Sequence, residues 1–215
     1  MRPALTRAAR CAVGLAVDAA LLALSCPNCG VAAEGEPLHI NRELAGWPLE
    51  HFELRDQTGA PITLEQLRGR WTFMLFGDTR CGAPCAEGLS ALVGLYQRLA
   101  PTAVLATTQV VFVSLDPARD SPAALQAYLQ AYDPRFVGAT GPRESLQRLL
   151  ADMGSGDAPT ATTQPASTYC ADCPLANYRG DLVLVGPDQL IRAQYSPPFD
   201  VKRLTASFLI IRALR

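Results

Sequence analysis

Histidine is scarce in this chain: His39 and His51 are the only two among 215 residues. A ligand histidine needs convergent partners. His39 lies in a polar stretch and His51 at the edge of the first strand pattern, so both read as solvated surface residues. Charge is scarce as well. Lys, Arg, Asp and Glu make up 18% of the residues, scattered without runs, and the formal net charge is −1. That balance gives no support for nucleic-acid binding or for a broad basic membrane face. No internal repeat is visible. The apolar segment from Cys11 to Leu24 is interrupted by Asp18 and falls short of the roughly 20 residues a membrane-crossing helix needs.

Cysteine, by contrast, is abundant. Cys11, Cys26, Cys29, Cys81, Cys85, Cys170 and Cys173 are present, and six of them form three close pairs. Such pairs suit an oxidising compartment or a metal-handling role. With 49% apolar residues, the chain can bury one good core, and a single domain after processing is the natural count.

The N-terminus has the layout of an export signal. Arg2, Arg7 and Arg10 precede the short apolar core, and Val31-Ala32-Ala33 supplies small residues where a signal peptidase reads. The expectation is a signal peptide over residues 1–33, export to the periplasm and a mature chain starting at Glu34. Two alternatives stay open: an uncleaved segment anchoring the protein to the inner membrane, or a lipid on Cys26 in the poor lipoprotein box Ala23-Leu24-Ser25-Cys26. Cleavage after Ala33 removes Cys11, Cys26 and Cys29 and leaves two pairs. Residues 34–50, polar with Gly and Pro, read as a tether to a domain over residues 51–215.

Within that domain, the pattern from Phe52 to Thr63 alternates around an Asp/Gly turn and predicts an N-terminal β-hairpin. Residues Thr63–Leu67 form a short helical turn. Trp71-Thr-Phe-Met-Leu-Phe76 is a buried strand ended by Gly77. The helix that follows, about Pro84 to Leu99, puts Leu89, Leu92, Val93 and Tyr96 on one face. Gln109 to Pro117 is a second buried strand ending in polar residues. Ser121 caps the next helix and Pro122 suits its first position, with Leu125, Tyr128 and Leu129 facing inward as far as about Tyr132. Phe136-Val137 is extended, and Arg143 to Met153 is helical. Residues 154–177 are rich in Gly, Ser, Thr, Ala and Pro and predict a long mobile loop. Leu182–Val185 and Leu190–Tyr195 pair as a hairpin around Gly186-Pro-Asp188, and Asp200 opens a last helix with Val201, Leu204, Phe208 and Ile211 buried. The order predicts an α/β fold, a central mixed sheet flanked by helices; with a cysteine pair at the first strand–helix junction it resembles a thioredoxin-like fold.

Cys81 and Cys85 stand where the first core strand hands over to its helix. Unpaired N–H groups and the positive end of the helix dipole favour a thiolate there, and Arg80 pushes the same way. Their i, i+4 spacing brings the two sulfurs near each other across one turn. They can close a disulfide or hold one soft metal ion; the plain alternative is two buried core cysteines.

Several stretches resemble the SCO/SenC family, thioredoxin-like proteins tied to copper delivery for cytochrome c oxidase. Phe52-x-Leu54-x-Asp56-x-x-Gly59 is similar to the family's opening hairpin, and Gly77-x-Thr79-x-Cys81-x-x-x-Cys85 to its metal-binding loop. Ser114-Leu-Asp116-Pro117-Ala-Arg119-Asp120-Ser-Pro122 is similar to its second signature. Phe136-x-Gly138-x-Thr140-Gly141 and Leu184-Val-Gly-Pro187-Asp188 extend the likeness over nearly all of the mature chain. The resemblance implies that Cys81 and Cys85 are copper ligands. The family's third ligand, a histidine nine residues before the proline matching Pro187, is replaced by Tyr178, preceded by Asn177. The family's Asp between the cysteines is Ala83 here. Imidazole suits Cu(II), whereas thiolates alone favour Cu(I), so Cu(I) is the expected cargo.

Cys170 and Cys173 lie just upstream of the missing histidine. They read either as a local disulfide stapling the loop or as further metal ligands or a relay pair for Cys81 and Cys85. Two functions compete. One is an assembly factor that binds Cu(I), performs thiol–disulfide exchange at Cys81 and Cys85, or both, in support of maturing the copper-site subunit of cytochrome c oxidase. The other is a thiol–disulfide oxidoreductase acting on other exported proteins, with Cys81 and Cys85 as the catalytic redox pair. Thioredoxin-type oxidoreductases place a proline directly before the strand facing their cysteines; Gly180-Asp181 occupies that place here, which weighs against general disulfide exchange. A peroxidase reading finds no Thr-x-x-Cys setting.

Overall fold

The structure, a computed structural model, describes residues 46–154 and 180–214. The export segment, His39, most of the predicted mobile loop, Cys170, Cys173 and Tyr178 lie outside the described residues.

Among the described residues, eight strands form one mixed sheet. They are β1 (Trp47–Pro48), β2 (Leu54–Asp56), β3 (Pro61–Ile62), β4 (Trp71–Gly77), β5 (Thr108–Ser114), β6 (Val137–Thr140), β7 (Leu182–Val185) and β8 (Leu190–Tyr195). Their order across the sheet is β1-β8-β7-β4-β5-β6-β2-β3. The centre, β4-β5-β6, is parallel, while β7 pairs antiparallel with β4. Five helices pack on this sheet: α1 (Leu64–Leu67), α2 (Ala83–Leu99), α3 (Pro122–Gln130), α4 (Arg143–Gly154) and α5 (Val201–Ala213).

Every residue of β4 is buried, as a strand covered on both faces requires. Its side chains alternate between two cores. Trp71, Phe73 and Leu75 join residues of α2, α3 and α5 in one, and Met74 and Phe76 join residues of α1 and α4 in the other. The expected caps are present. Ser121 Oγ accepts from the amide of Ala124, Asp200 Oδ1 accepts from that of Arg203, and Thr63 and Gln66 form a capping box on α1. In the β2–β3 hairpin, Asp56 Oδ1 accepts from the amides of Thr58 and Ala60 and from Thr58 Oγ1. That carboxylate makes the turn.

Three expectations change in detail. The tether ends earlier than residue 50: Trp47–Pro48 pairs antiparallel with β8, and Leu49 is buried. Two bonds to α4 hold this segment, Trp47 Nε1 to the Asp152 carbonyl at 3.0 Å and the Glu50 amide to Asp152 Oδ2 at 2.8 Å. Gly154, assigned to the loop, closes α4. Helix α3 stops at Gln130, and Tyr128 and Tyr132 are only half-buried, their rings stacked edge to face at 5.6 Å.

Helix α5 is fixed by one aromatic knob. The Phe208 ring meets those of Trp71 and Phe73 at centroid distances of 5.7 and 5.1 Å, edge to face in both cases. Phe208→Ala is expected to lower unfolding stability by about 3–5 kcal/mol, measured by urea denaturation. A loss below about 1 kcal/mol would contradict this packing role.

Candidate functional site

The parallel register of β4 and β5 ends with Gly77 opposite Ser114, and the Leu115 amide donates to the Gly77 carbonyl at 2.7 Å. The two loops leaving these strands therefore start side by side. The first, 78–82, carries Cys81 towards α2; the second, 115–121, carries Asp116 and Asp120 towards α3.

Cys81 and Cys85 form a disulfide, with their Cα atoms 5.8 Å apart. Both are buried, Cys81 at 4% and Cys85 at 0% relative exposure. A turn closed by the Cys81 amide and the Asp78 carbonyl, 3.0 Å apart, delivers the first cysteine. Gly82 follows with φ 73° and ψ −140°, a conformation that glycine alone adopts without strain. It is the N-cap of α2, makes no side-chain capping bond, and is followed by no acidic residue in the first turn. Once the disulfide is reduced, the amides and dipole of this helix end are therefore available to a thiolate. Cys85 sits in that first turn, its Sγ 3.9 Å from the Phe76 carbonyl. The same carbonyl accepts from the Gly180 amide at 2.9 Å. Gly180 is thus the residue beside the cysteine helix, its α-carbon packed towards Pro84, and a proline there could not make this bond.

Acids frame the loop. Asp120, 1% exposed, accepts three hydrogen bonds: from the Thr79 amide at 3.0 Å, from Thr79 Oγ1 at 2.7 Å and from Ser114 Oγ at 2.6 Å. Ser114 Oγ in turn accepts from the Asp116 amide at 3.1 Å. Asp116 Oδ2 accepts from Arg80 Nη2 at 3.1 Å and from Arg119 Nε at 2.5 Å. The charge of Arg80, expected to act on Cys81, is therefore shared with Asp116. Buried Asp78 accepts from the Arg80 amide at 2.8 Å through Oδ1. An aromatic wall stands alongside, Phe112 and Tyr128 at 5.5 Å between centroids. Burial foremost, then Tyr132, pushes the Tyr128 hydroxyl well above its usual pKa, with Asp78 and Asp120 adding to the shift.

The structure thus brings together Cys81, Cys85 and the residues of the second signature. His51 is exposed and in no strand. Thr79, Ser114, Asp116 and Asp120 appear among the stretches that carry the family resemblance, with no role assigned to any of them. A polar cluster closing a buried strand was the available signal, but its partners lie 41 residues away in sequence. Among the described residues no group of three or more His, Cys, Asp and Glu side chains is placed to hold a metal. Among the described residues, the soft donor atoms brought together at this junction are the two sulfurs of Cys81 and Cys85.

The SCO1/SenC family model matches residues 47–207. A relative from Stutzerimonas stutzeri, named for copper binding, is 33% identical over 202 residues, 94% of each chain. Mitochondrial SCO homologues are also similar, and the chain covers only 36% of the human SCO1 homolog and 37% of the mouse SCO2 homolog. Two solved structures share the fold. Copper-bound yeast Sco1 has a TM-score of 0.61 at 22% identity, covering 80% of this chain and 95% of that one. BsSco, described as having a disulfide switch and as a member of the Sco family of cytochrome c oxidase assembly proteins, has a TM-score of 0.60 at 18% identity, covering 81% and 99%. The thioredoxin-like α/β expectation holds.

Gly77 is where the strand touches the disulfide. A Cβ built on it would collide with Cys85 Sγ and stand 3.5 Å from Cys81 Sγ. Overpacking of this kind costs about 1–3 kcal/mol, and the reduced side chains can rotate away from it. Gly77→Ala is expected to raise the reduction potential of the pair by about 30 mV, or ~1.4 kcal/mol, in a glutathione titration. An unchanged potential would contradict the contact.

Proposed function

Because the chain belongs to the SCO1/SenC family, we propose that it is an exported assembly factor whose Cys81 and Cys85 carry Cu(I) when reduced. The recipient is the copper-site subunit of cytochrome c oxidase. The observation that carries this reading is the meeting of two sulfurs at one strand–helix junction, close enough to bond each other. Similarity to the relative named for copper binding supports copper as the cargo. The oxidase as destination is supported by the description of BsSco. Export is supported by the N-terminal pattern of Arg2, Arg7, Arg10 and Val31-Ala-Ala33.

Cu(I) binding and disulfide formation are alternative uses of the same electron pairs. Binding requires both thiols to give up their protons. Closing the disulfide releases two protons and two electrons and leaves no thiolate for the metal. The dipole and amides at the α2 N-terminus stabilise the two negative charges in the reduced state. Tyr178 stands where the family has histidine; two thiolates suffice for two-coordinate Cu(I), and Cys170 or Cys173 would be the soft donor for a third position.

A second reading, thiol–disulfide exchange with another exported protein and no copper role, is favoured by the formed disulfide itself. Gly180 in the proline position weighs against it.

The reduced protein is expected to bind one equivalent of Cu(I), with binding lost in either Cys81→Ser or Cys85→Ser and little thiolate-to-Cu(II) absorption on exposure to Cu(II). Competition against a Cu(I) chelator checks this. Equal Cu(I) retention in wild type and both serine variants would contradict the reading, and a stable coloured Cu(II) complex would contradict its preference for Cu(I).

A further inference from the structure

The disulfide is shut in. With Cys81 and Cys85 at 4% and 0% exposure, the disulfide offers an incoming thiolate little surface, and exchange requires access to a sulfur. The residues next to it, Gly82, Ala83 and Pro84, are exposed, so the covering segment is itself at the surface and can lift only if loop 78–82 is released. The ties from that loop to the one leaving β5 include two of different kinds. The Arg80–Asp116 pair is partly solvated, with the Arg80 side chain 55% exposed, and such pairs contribute little. The Asp120 tie is of another kind. Its carboxylate is buried, takes three donors, and joins Thr79 on the cysteine loop to Ser114 at the end of β5. Hydrogen bonds to a buried ionised acceptor are the strong class.

We propose that Asp120 is a positioning residue that latches the cysteine loop. By holding Thr79 against Ser114 it keeps Cys81 closed to attack, and letting go of Thr79 opens the disulfide to a partner's thiol. The inference rests on thiol chemistry at this pair and deepens it by naming what regulates access. In the opened state a thiolate of a dithiol reductant bonds to Cys81 Sγ, the less buried sulfur. The Cys81–Cys85 bond breaks and Cys85 leaves as a thiolate in the first turn of α2. The reductant's second thiolate then displaces Cys81, giving two protein thiols and one oxidised reductant.

The test is the rate of disulfide reduction in the oxidised full chain by excess dithiothreitol, followed by alkylation and peptide mass mapping of Cys81 and Cys85. Asp120→Asn, which puts a donor where three donors converge, is expected to react about tenfold faster than wild type, equivalent to ~1.4 kcal/mol. Thr79→Val, which removes only the hydroxyl bond, should react roughly threefold faster, and decides alone if Asp120→Asn does not fold. Leu149→Ala, a buried change in the opposite core, should lower the melting temperature yet keep the wild-type rate. Wild-type rates in the latch variants, or equal acceleration in Leu149→Ala, would overturn the proposal. A Cu(I) titration of the reduced wild type separates the two readings: its failure refutes copper carriage and leaves the latch to be judged by the rates.

Discussion

The parallel pairing of β4 with β5 is the constraint on which the site depends. Seven register pairs, from Trp71 with Thr108 to Gly77 with Ser114, leave both strands ending at one level. Both are buried on both faces, so neither can slip by a residue without turning its side chains into the wrong core. Everything chemical follows from that shared end point. The cysteine loop departs from one strand, the acidic loop from the other, and Ser114 and Asp120 bind them together before either chain re-enters a helix.

The arrangement places opposing electrostatics close together. Three acids, Asp78, Asp116 and Asp120, are buried around a loop whose cysteines must ionise to react. Burying carboxylates is costly unless they are hydrogen-bonded or paired, and here backbone amides, hydroxyls and two arginines satisfy them. The acids are thus occupied with structure, and the helix end, free of any acidic side chain in its first turn, is left to the sulfurs. Asp181 shows the contrasting case. Burial pushes its carboxyl above the usual range, opposed by hydrogen bonds from Ser196 and Gln194.

Much of this was legible in the sequence. A continuous apolar run marked β4, the helical spacing after Pro84 marked α2, Ser121-Pro122 marked the start of α3, and Gly186-Pro-Asp188 marked the β7–β8 hairpin. Cys81 and Cys85 were readable as partners from their spacing at a strand–helix junction. Strand β1 was not, because two residues including a proline carry no period; its place comes from Asp152, more than a hundred residues away. The latch was not legible either. A serine or aspartate at a strand end looks like ordinary loop chemistry until the parallel register sets it beside the cysteine loop. Arg80 shows the limit of adjacency: sequence placed its charge on Cys81, whereas the fold shares it with Asp116.

The proposed function requires one pair of sulfurs with two exclusive states, a closed disulfide and an open pair that carries Cu(I). If copper binds only the reduced pair, free Cu(I) must pull the redox equilibrium towards the thiols. The direct measurement is the reduction potential of Cys81/Cys85 at a series of buffered Cu(I) activities. The potential should rise by about 30 mV for each tenfold increase in free Cu(I) above the dissociation constant. A potential that stays constant across the series would contradict the claim.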